Sequence, residues 1–217
     1  MDDETVKLAN ASIQAVQQIA ASTTSVSKLV KQLMDTQGGY RYAHCQLVTF
    51  LGFHVIKMMG WWGEDQRSTI SQAAFYHDIS LTNDEQAMVH TAKAAAELGA
   101  KDPQLLELLL THAQRAAREL QTAPEISPEV VQVVIQHHGS PVGKGFSTDI
   151  AKLSPLPKTF IISEEWGSYL IDLAQSDKPA DNDAKIRELK TIYKDEQSQQ
   201  IIETFRYLDA SAFARDF

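Results

Sequence analysis

The sequence predicts an all-α protein, on three observations. Apolar residues recur at three- and four-residue steps along most of the chain. Asp102-Pro103 and Ser127-Pro128 each place a proline at the first helical position behind a capping side chain. No stretch shows the two-residue alternation of a half-buried strand, and no internal repeat is present. The 217 residues are 43% hydrophobic and 22% charged, which suits a globular chain long enough for one well-buried core.

In chain order, residues 2 to about 35 read as a first helix. Its apolar stripe is Leu8, Ile13, Val16, Ile19, Val26, Leu29, Val30 and Leu33. Gly38-Gly39 ends it. A second helix, about residues 40–59, carries His44. Gly60-Trp61-Trp62-Gly63 is a break whose indoles pack under a turn. A third helix, about residues 65–79, ends in Ala73-Ala74-Phe75-Tyr76-His77-Asp78-Ile79. Thr82, with Glu85 as its capping-box partner, opens a fourth that is expected to run unbroken to Leu98 before Gly99 stops it. The fifth starts at Asp102-Pro103 and carries Leu105, Leu106, Leu109 and His112. The sixth, opened by Ser127-Pro128-Glu129, delivers His137 and His138. Residues 139–154 are irregular and directly follow that pair; long loops inside compact domains usually carry function. Helix resumes over about 156–175, Ser176-Asp177-Lys178-Pro179 turns the chain, and residues 184–208 read as one last helix. The expected organisation is an N-terminal helix (1–36) packed on a core (37–180), with a C-terminal helical extension (181–217).

Charge and cysteine content narrow the function. Twenty basic and 28 acidic residues give 20 − 28 = −8, and no block of five Lys/Arg occurs. Both facts argue against a partner that is a nucleic acid polymer. A small anion remains open, because a local charge or a metal ion binds phosphate whatever the total. One cysteine, Cys45, cannot form an internal disulfide and reads as a small buried thiol, which fits a reducing cytoplasm. Met1-Asp2-Asp3-Glu4 is acidic where a signal peptide is basic, and no run of 18 apolar residues spans a membrane. A cytoplasmic location is therefore expected.

Seven histidines dominate the chemistry. His44, His77, Asp78, His112, His137 and His138 fall where helices can bring them together. Imidazole and carboxylate suit zinc, iron, manganese or nickel. Neighbours on a helix point about 100° apart, so a His-Asp or His-His pair does not chelate as an i, i+4 pair would. Such pairs can flank two metals roughly 3.5–4 Å apart, with Asp78 bridging. His54, among Phe53, Val55 and Ile56, and His90, on a surface-like helix, read as structural or solvent-exposed.

These residues resemble the HD superfamily of metal-dependent phosphohydrolases, and within it the HD-GYP branch, over residues 40–180. Tyr42-Ala43-His44-Cys45-Gln46-Leu47-Val48 is similar to the family's first-histidine helix. The His77-Asp78 signature follows 33 residues later, and 25 residues separate His112 from His137. Gly143-Lys144-Gly145-Phe146-Ser147 stands where the family places G-x-G-Y-P, with Phe146 for the tyrosine. Glu164 replaces the last aspartate ligand, and Ser176-Asp177-Lys178-Pro179 resembles S-D-R-P. The family's H-D-x-G-K reads His77-Asp78-Ile79-Ser80-Leu81, so its lysine is absent. Both acidic residues of its H-H-E-x-x-D-G are missing. Tyr40 stands where some members carry a carboxylate for a third metal.

The resemblance implies a compact bundle of about seven to eight helices around a binuclear centre of two divalent ions. It implies iron, with manganese or zinc as alternatives. The ligands would be His44, His77, Asp78, His112, His137, His138 and Glu164. It further implies a bacterial signalling phosphodiesterase that hydrolyses cyclic di-GMP by attack of a metal-bridging hydroxide. Asp78 would be catalytic; because a phosphate needs a cation but not at one fixed position, Lys144, Lys158 or Lys178 could replace the absent lysine, so Lys144 and Lys158 are read as catalytic and Lys144, Phe146 and Lys178 as touching substrate. The alternative is a catalytically weak or inactive signalling module that binds metal, nucleotide or a protein partner.

Overall fold

The computed structural model describes residues 39–61, 63–176 and 180–208. The predicted first helix, Trp62 and Lys178 lie outside the described residues. Within them there are nine α-helices, one 3-10 turn and no strand. The helices are α1 (Gly39–Met58), α2 (Glu64–Tyr76), α3 (Asp84–Ala87), α4 (Ala92–Leu98), α5 (Pro103–Leu120), α6 (Pro128–Gln136), α7 (Pro155–Gln175), α8 (Asn182–Ile192) and α9 (Glu196–Thr204), with the 3-10 turn at Phe205–Tyr207. None of the described helices is long and apolar enough to cross a membrane.

The core is built around α1. Leu47, Val48, Phe50, Leu51, Val55 and Ile56 are all buried, so this helix is apolar on most of its circumference, as an interior helix must be. It packs chiefly against α7 and α2. The α1–α2 crossing is close at Gly52, where a Cβ would sit 2.6 Å from Ile70 Cγ2. Proline opens α5, α6 and α7, and the Asp102 and Ser127 side chains cap the first two as their spacing predicts.

Three predicted helices end or break earlier than expected, each for a local reason. The third stops at Tyr76, with His77 as its C-cap. The fourth is two short helices. Asn83, not Thr82, caps α3 by accepting from Gln86 N, and the Gln86 carbonyl-type oxygen accepts from Thr82 N. Thr91 then caps α4 afresh by accepting from Ala94 N, which leaves Val89 and His90 outside both helices. The last predicted helix is also two, because Asp195 caps α9 by accepting from Ser198 N. The C-terminal part is not a separate layer. Ile186, Leu189, Ile201, Ile202 and Phe205 belong to the same hydrophobic core as α1, α2 and α7.

Candidate metal centre

Five segments deliver the site. The second turn of α1 supplies His44, and the middle of α5 supplies His112. The ends of α2 and α6 supply His77-Asp78 and His137-His138, with His77 and His137 as the C-caps. Two helix C-termini therefore meet here, and their partial negative charge favours a cation. α7 adds Glu164 from the opposite wall. Ser80 Oγ donates to the His112 carbonyl at 3.0 Å, which ties the turn after α2 to α5.

Two groups of ligand-type atoms result. His44, His77 and Glu164 form one; His112, His137 and His138 form the other; within each group the atoms lie within 4.8 Å of one another. Asp78 stands between them. Its Oδ2 is 3.3 Å from His77 Nε2 and its Oδ1 is 3.6 Å from His112 Nε2. Every histidine of the sequence-predicted set is thus brought together, and Glu164 rather than Glu165 enters the group. Glu165 instead accepts from the Tyr193 hydroxyl at 3.3 Å.

Hydrogen bonding shows that the rings are set to present lone pairs. His77, His112 and His137 each place Nδ1 on the carbonyl three residues earlier, Ala74, Leu109 and Val134, at 2.9, 2.7 and 2.6 Å. A carbonyl only accepts, so Nδ1 carries the hydrogen and Nε2 of the neutral ring is a lone pair pointing into the site. His112 and His137 then face each other Nε2 to Nε2 at 3.1 Å, and His138 Nε2 approaches the same atom of His112 at 2.9 Å. Both ring nitrogens of His44, and Nε2 of His77, are buried with no hydrogen-bond partner. Converging lone pairs and orphaned imidazole nitrogens in a dry interior are costly unless a cation joins them. The donor set fits a divalent metal of the borderline class.

The electrostatics agree for each of these rings except His77. Burial lowers His44, His112 and His138, and pushes His137 down to about 3, so these rings are neutral as ligands must be. Burial also works against Asp78 ionising, but His77, His112 and His137 outweigh it and hold the carboxyl below its usual range. His77 is the exception: burial lowers it, but Asp78 beside it wins and pushes it up to about 9, so this ring carries a proton on Nε2 that a bound cation would displace. Burial would raise Glu164 as well, yet His44 and His90 hold it well below the ordinary value.

His90 is the residue that sequence reading misplaced. It is neither helical nor structural at the surface. Its Nδ1 is 3.4 Å from Glu164 Oε1 and its Nε2 is 3.0 Å from the Tyr40 hydroxyl. Tyr40 in turn stacks on His44 at 5.4 Å. The missed signal is Thr91, a second N-cap eight residues after Asn83, which forces a break and turns His90 inward. His54, by contrast, is structural as expected, with Nε2 on the Thr204 carbonyl at 2.8 Å.

A cavity of about 230 Å³ opens onto this cluster, lined by His90, His137, His138, Phe146, Glu164 and Glu165 among others. Phe146 reaches it because the loop after α6 folds back: Ser147 N donates to the His138 carbonyl at 2.8 Å, and Gly145 N to Leu110 at 2.7 Å. Gly139 permits this return. Its φ is +76°, and a Cβ there would lie 1.9 Å from the Ser147 carbonyl oxygen. The Phe146 ring then sits 4.4 Å from His138.

Lys144 and Lys158 do not join it. Lys158 is buried, and its ammonium donates to Asp195 at 2.7 Å and to the Ala151 carbonyl at 3.0 Å; a catalytic part for it is corrected to the holding of the α8–α9 corner. Lys144 projects to solvent from the loop. Among the described residues, no lysine or arginine lines this cavity. Cys45 is half-buried rather than sealed in the core. Set against known protein families, curated proteins and solved structures, the chain matches none.

Proposed function

We propose that the protein is a metal-dependent phosphohydrolase with a binuclear centre, acting on a phosphodiester of the cyclic dinucleotide class, cyclic di-GMP first. The observation that carries this is the pairing of two ligand groups across one carboxylate, each Asp78 oxygen turned to a different group. His44, His77 and Glu164 would hold one ion and His112, His137 and His138 the other, with iron the metal the resemblance favours and manganese or zinc the alternatives. Divalent ions held there would supply Lewis acidity toward a phosphoryl oxygen and would lower the pKa of a bound water to near neutrality.

The chain's own residues do the rest. The three carbonyl-anchored imidazoles keep their rings fixed, so little reorganisation accompanies the reaction. His90, itself held by the Tyr40 hydroxyl, orients the Glu164 carboxylate. His44, His77 and His137 are no more than 1% exposed, which excludes bulk water from their nitrogens. At about 230 Å³ the cavity is below the range of roughly 300–1,000 Å³ usual for whole drug-sized ligands. The scissile phosphate would enter, with the remainder of a cyclic dinucleotide at the mouth beside Phe146.

A second reading has one observation behind it. The cavity has no described cation to meet a phosphate, which favours a signalling module that binds metal and nucleotide with slow turnover. Elemental analysis of anaerobically purified protein, beside Asp78→Ala, comes first; about two ions per chain, lost in the variant, is the expected result. Cyclic di-GMP hydrolysis that depends on Asp78 supports the enzyme, and metal with nucleotide binding but no hydrolysis supports the module. Parent-like hydrolysis by Asp78→Ala would overturn the site.

A further inference from the structure

A second cavity, of about 220 Å³, meets the same centre elsewhere. It is lined by Arg41, Cys45 and Gln46 from one face of α1 and by Phe75, Asp78 and Ile79 from the end of α2. It shares no lining residue with the first cavity. The first touches the centre through Glu164, His137 and His138; the second touches it through Asp78.

Two donors in this cavity are left without a partner among the described residues and are open to the cavity or to solvent. Arg41 uses Nε on Asp84 at 3.3 Å and Nη1 on the Leu81 carbonyl at 3.1 Å, so its guanidinium is held in one orientation. No described group receives Nη2. Gln46 is only 4% exposed, yet its amide makes no hydrogen bond with any described residue. The residue lines this cavity, so water or a ligand there completes the hydrogen bonds of the amide. Arg41 is also the only described cation lining either cavity at the centre. In a chain of net charge −8, an anion has to be met by such a local charge.

We propose that this cavity is an oxyanion subsite of the centre, in which Arg41 Nη2 and the Gln46 amide donate to phosphate oxygens of the ligand. The fixed fork of a guanidinium suits phosphate, and the amide adds a neutral donor that needs no charge balance. The class of ligand rests on the phosphohydrolase reading above; the subsite itself rests on the two unpartnered donors.

The test is titration of inorganic phosphate into the full chain by calorimetry, metal-free and after manganese loading, with metal content measured in each sample. Arg41→Ala is expected to weaken phosphate about tenfold and Gln46→Leu about threefold, with metal content unchanged. Arg41→Lys should recover most of the loss. Because Arg41 also holds Asp84 and Leu81, Gln46→Leu, which breaks no described hydrogen bond, keeps the question open if Arg41→Ala fails to fold. Affinity that is the same in parent, Arg41→Ala and Gln46→Leu in both metal states, or no phosphate binding in any, would overturn the subsite. Hydrolysis with phosphate binding indifferent to both residues would sink the subsite and leave the enzyme. Arg41-dependent phosphate binding in a chain that takes up no metal would do the reverse.

Discussion

Helix α1 carries two buried histidines ten residues apart, and they sit in opposite circumstances. His54 gives Nε2 to the Thr204 carbonyl at 2.8 Å and stacks on Phe205, whose other neighbour is Trp166 at 4.7 Å. His44, 1% exposed, has neither nitrogen bonded, and its nearest charged atom is Glu164 Oε1 at 3.6 Å. Burial penalises charge at both, so both pKa values fall. What separates them is satisfaction. The fold completes the hydrogen bonding of His54 by itself, and leaves that of His44 to something else. A buried polar side chain is part of the packing when its partners are protein groups, and part of a site when they are missing.

The largest effect should come from exchanging the roles. His44→Leu is expected to weaken metal binding by more than about a hundredfold, about 3 kcal/mol, while His54→Leu leaves metal content at the parent level. Elemental analysis and metal titration read this directly. Equal metal loss in the two variants would erase the distinction.

Lys158 sharpens the comparison from the His54 side, since its buried ammonium is bonded to Asp195 and to the Ala151 carbonyl. Lys158→Met should destabilise by about 2 kcal/mol in chemical denaturation by stranding Asp195, and leave metal content alone. Asp195 also sets a pH dependence. Burial would raise its carboxyl, but Lys158 and Ser198 outweigh burial and hold it low. Its contribution is therefore present above the unfolded value near 3.9 and lost as pH falls through the lower folded value. The acid limb of the stability profile should be shallower in Lys158→Met than in the parent.

The stability of the metal-free protein should run opposite to metal binding. His54→Leu is expected to cost about 1–2 kcal/mol, because it strands the Thr204 carbonyl. His44→Leu should be neutral or stabilising, because it removes two unsatisfied nitrogens. Thermal melts after chelation decide this, and a large loss in His44→Leu would mean that its nitrogens have partners after all. The smallest effect is at His90. His90→Phe keeps the ring but releases Tyr40 and Glu164, and should weaken metal binding about tenfold, the size usual for groups that orient a ligand. An unchanged affinity would return His90 to a packing role.

Much of this was legible in the chain. Periodicity and proline-led starts locate α5, α6 and α7, because capping and the first helical turn are local chemistry. The clustering of the histidines was legible for the same reason: His77-Asp78 and His137-His138 sit at helix ends, where adjacent residues can face one site. Breaks were not legible where two capping residues compete. Thr82 and Asn83 are both acceptable caps, and only the contact of Asp84 with Tyr40 N at 2.9 Å shows which register packs. Lysine roles were illegible as well. Nothing near Lys158 in sequence shows that Asp195, 37 residues on, waits for it.

By itself the sequence determined the helical class, most helix starts, the candidate ligand set and the absence of a lysine after His77-Asp78, because each is a matter of residue type and short spacing. Only the tertiary structure decided which polar groups would find partners. It turned His90 inward, engaged Lys158, left His44 and Gln46 unbonded, and set Asp78 between two imidazole groups. Partnership between distant side chains depends on how helices pack, and packing is a property of the whole core rather than of any one segment.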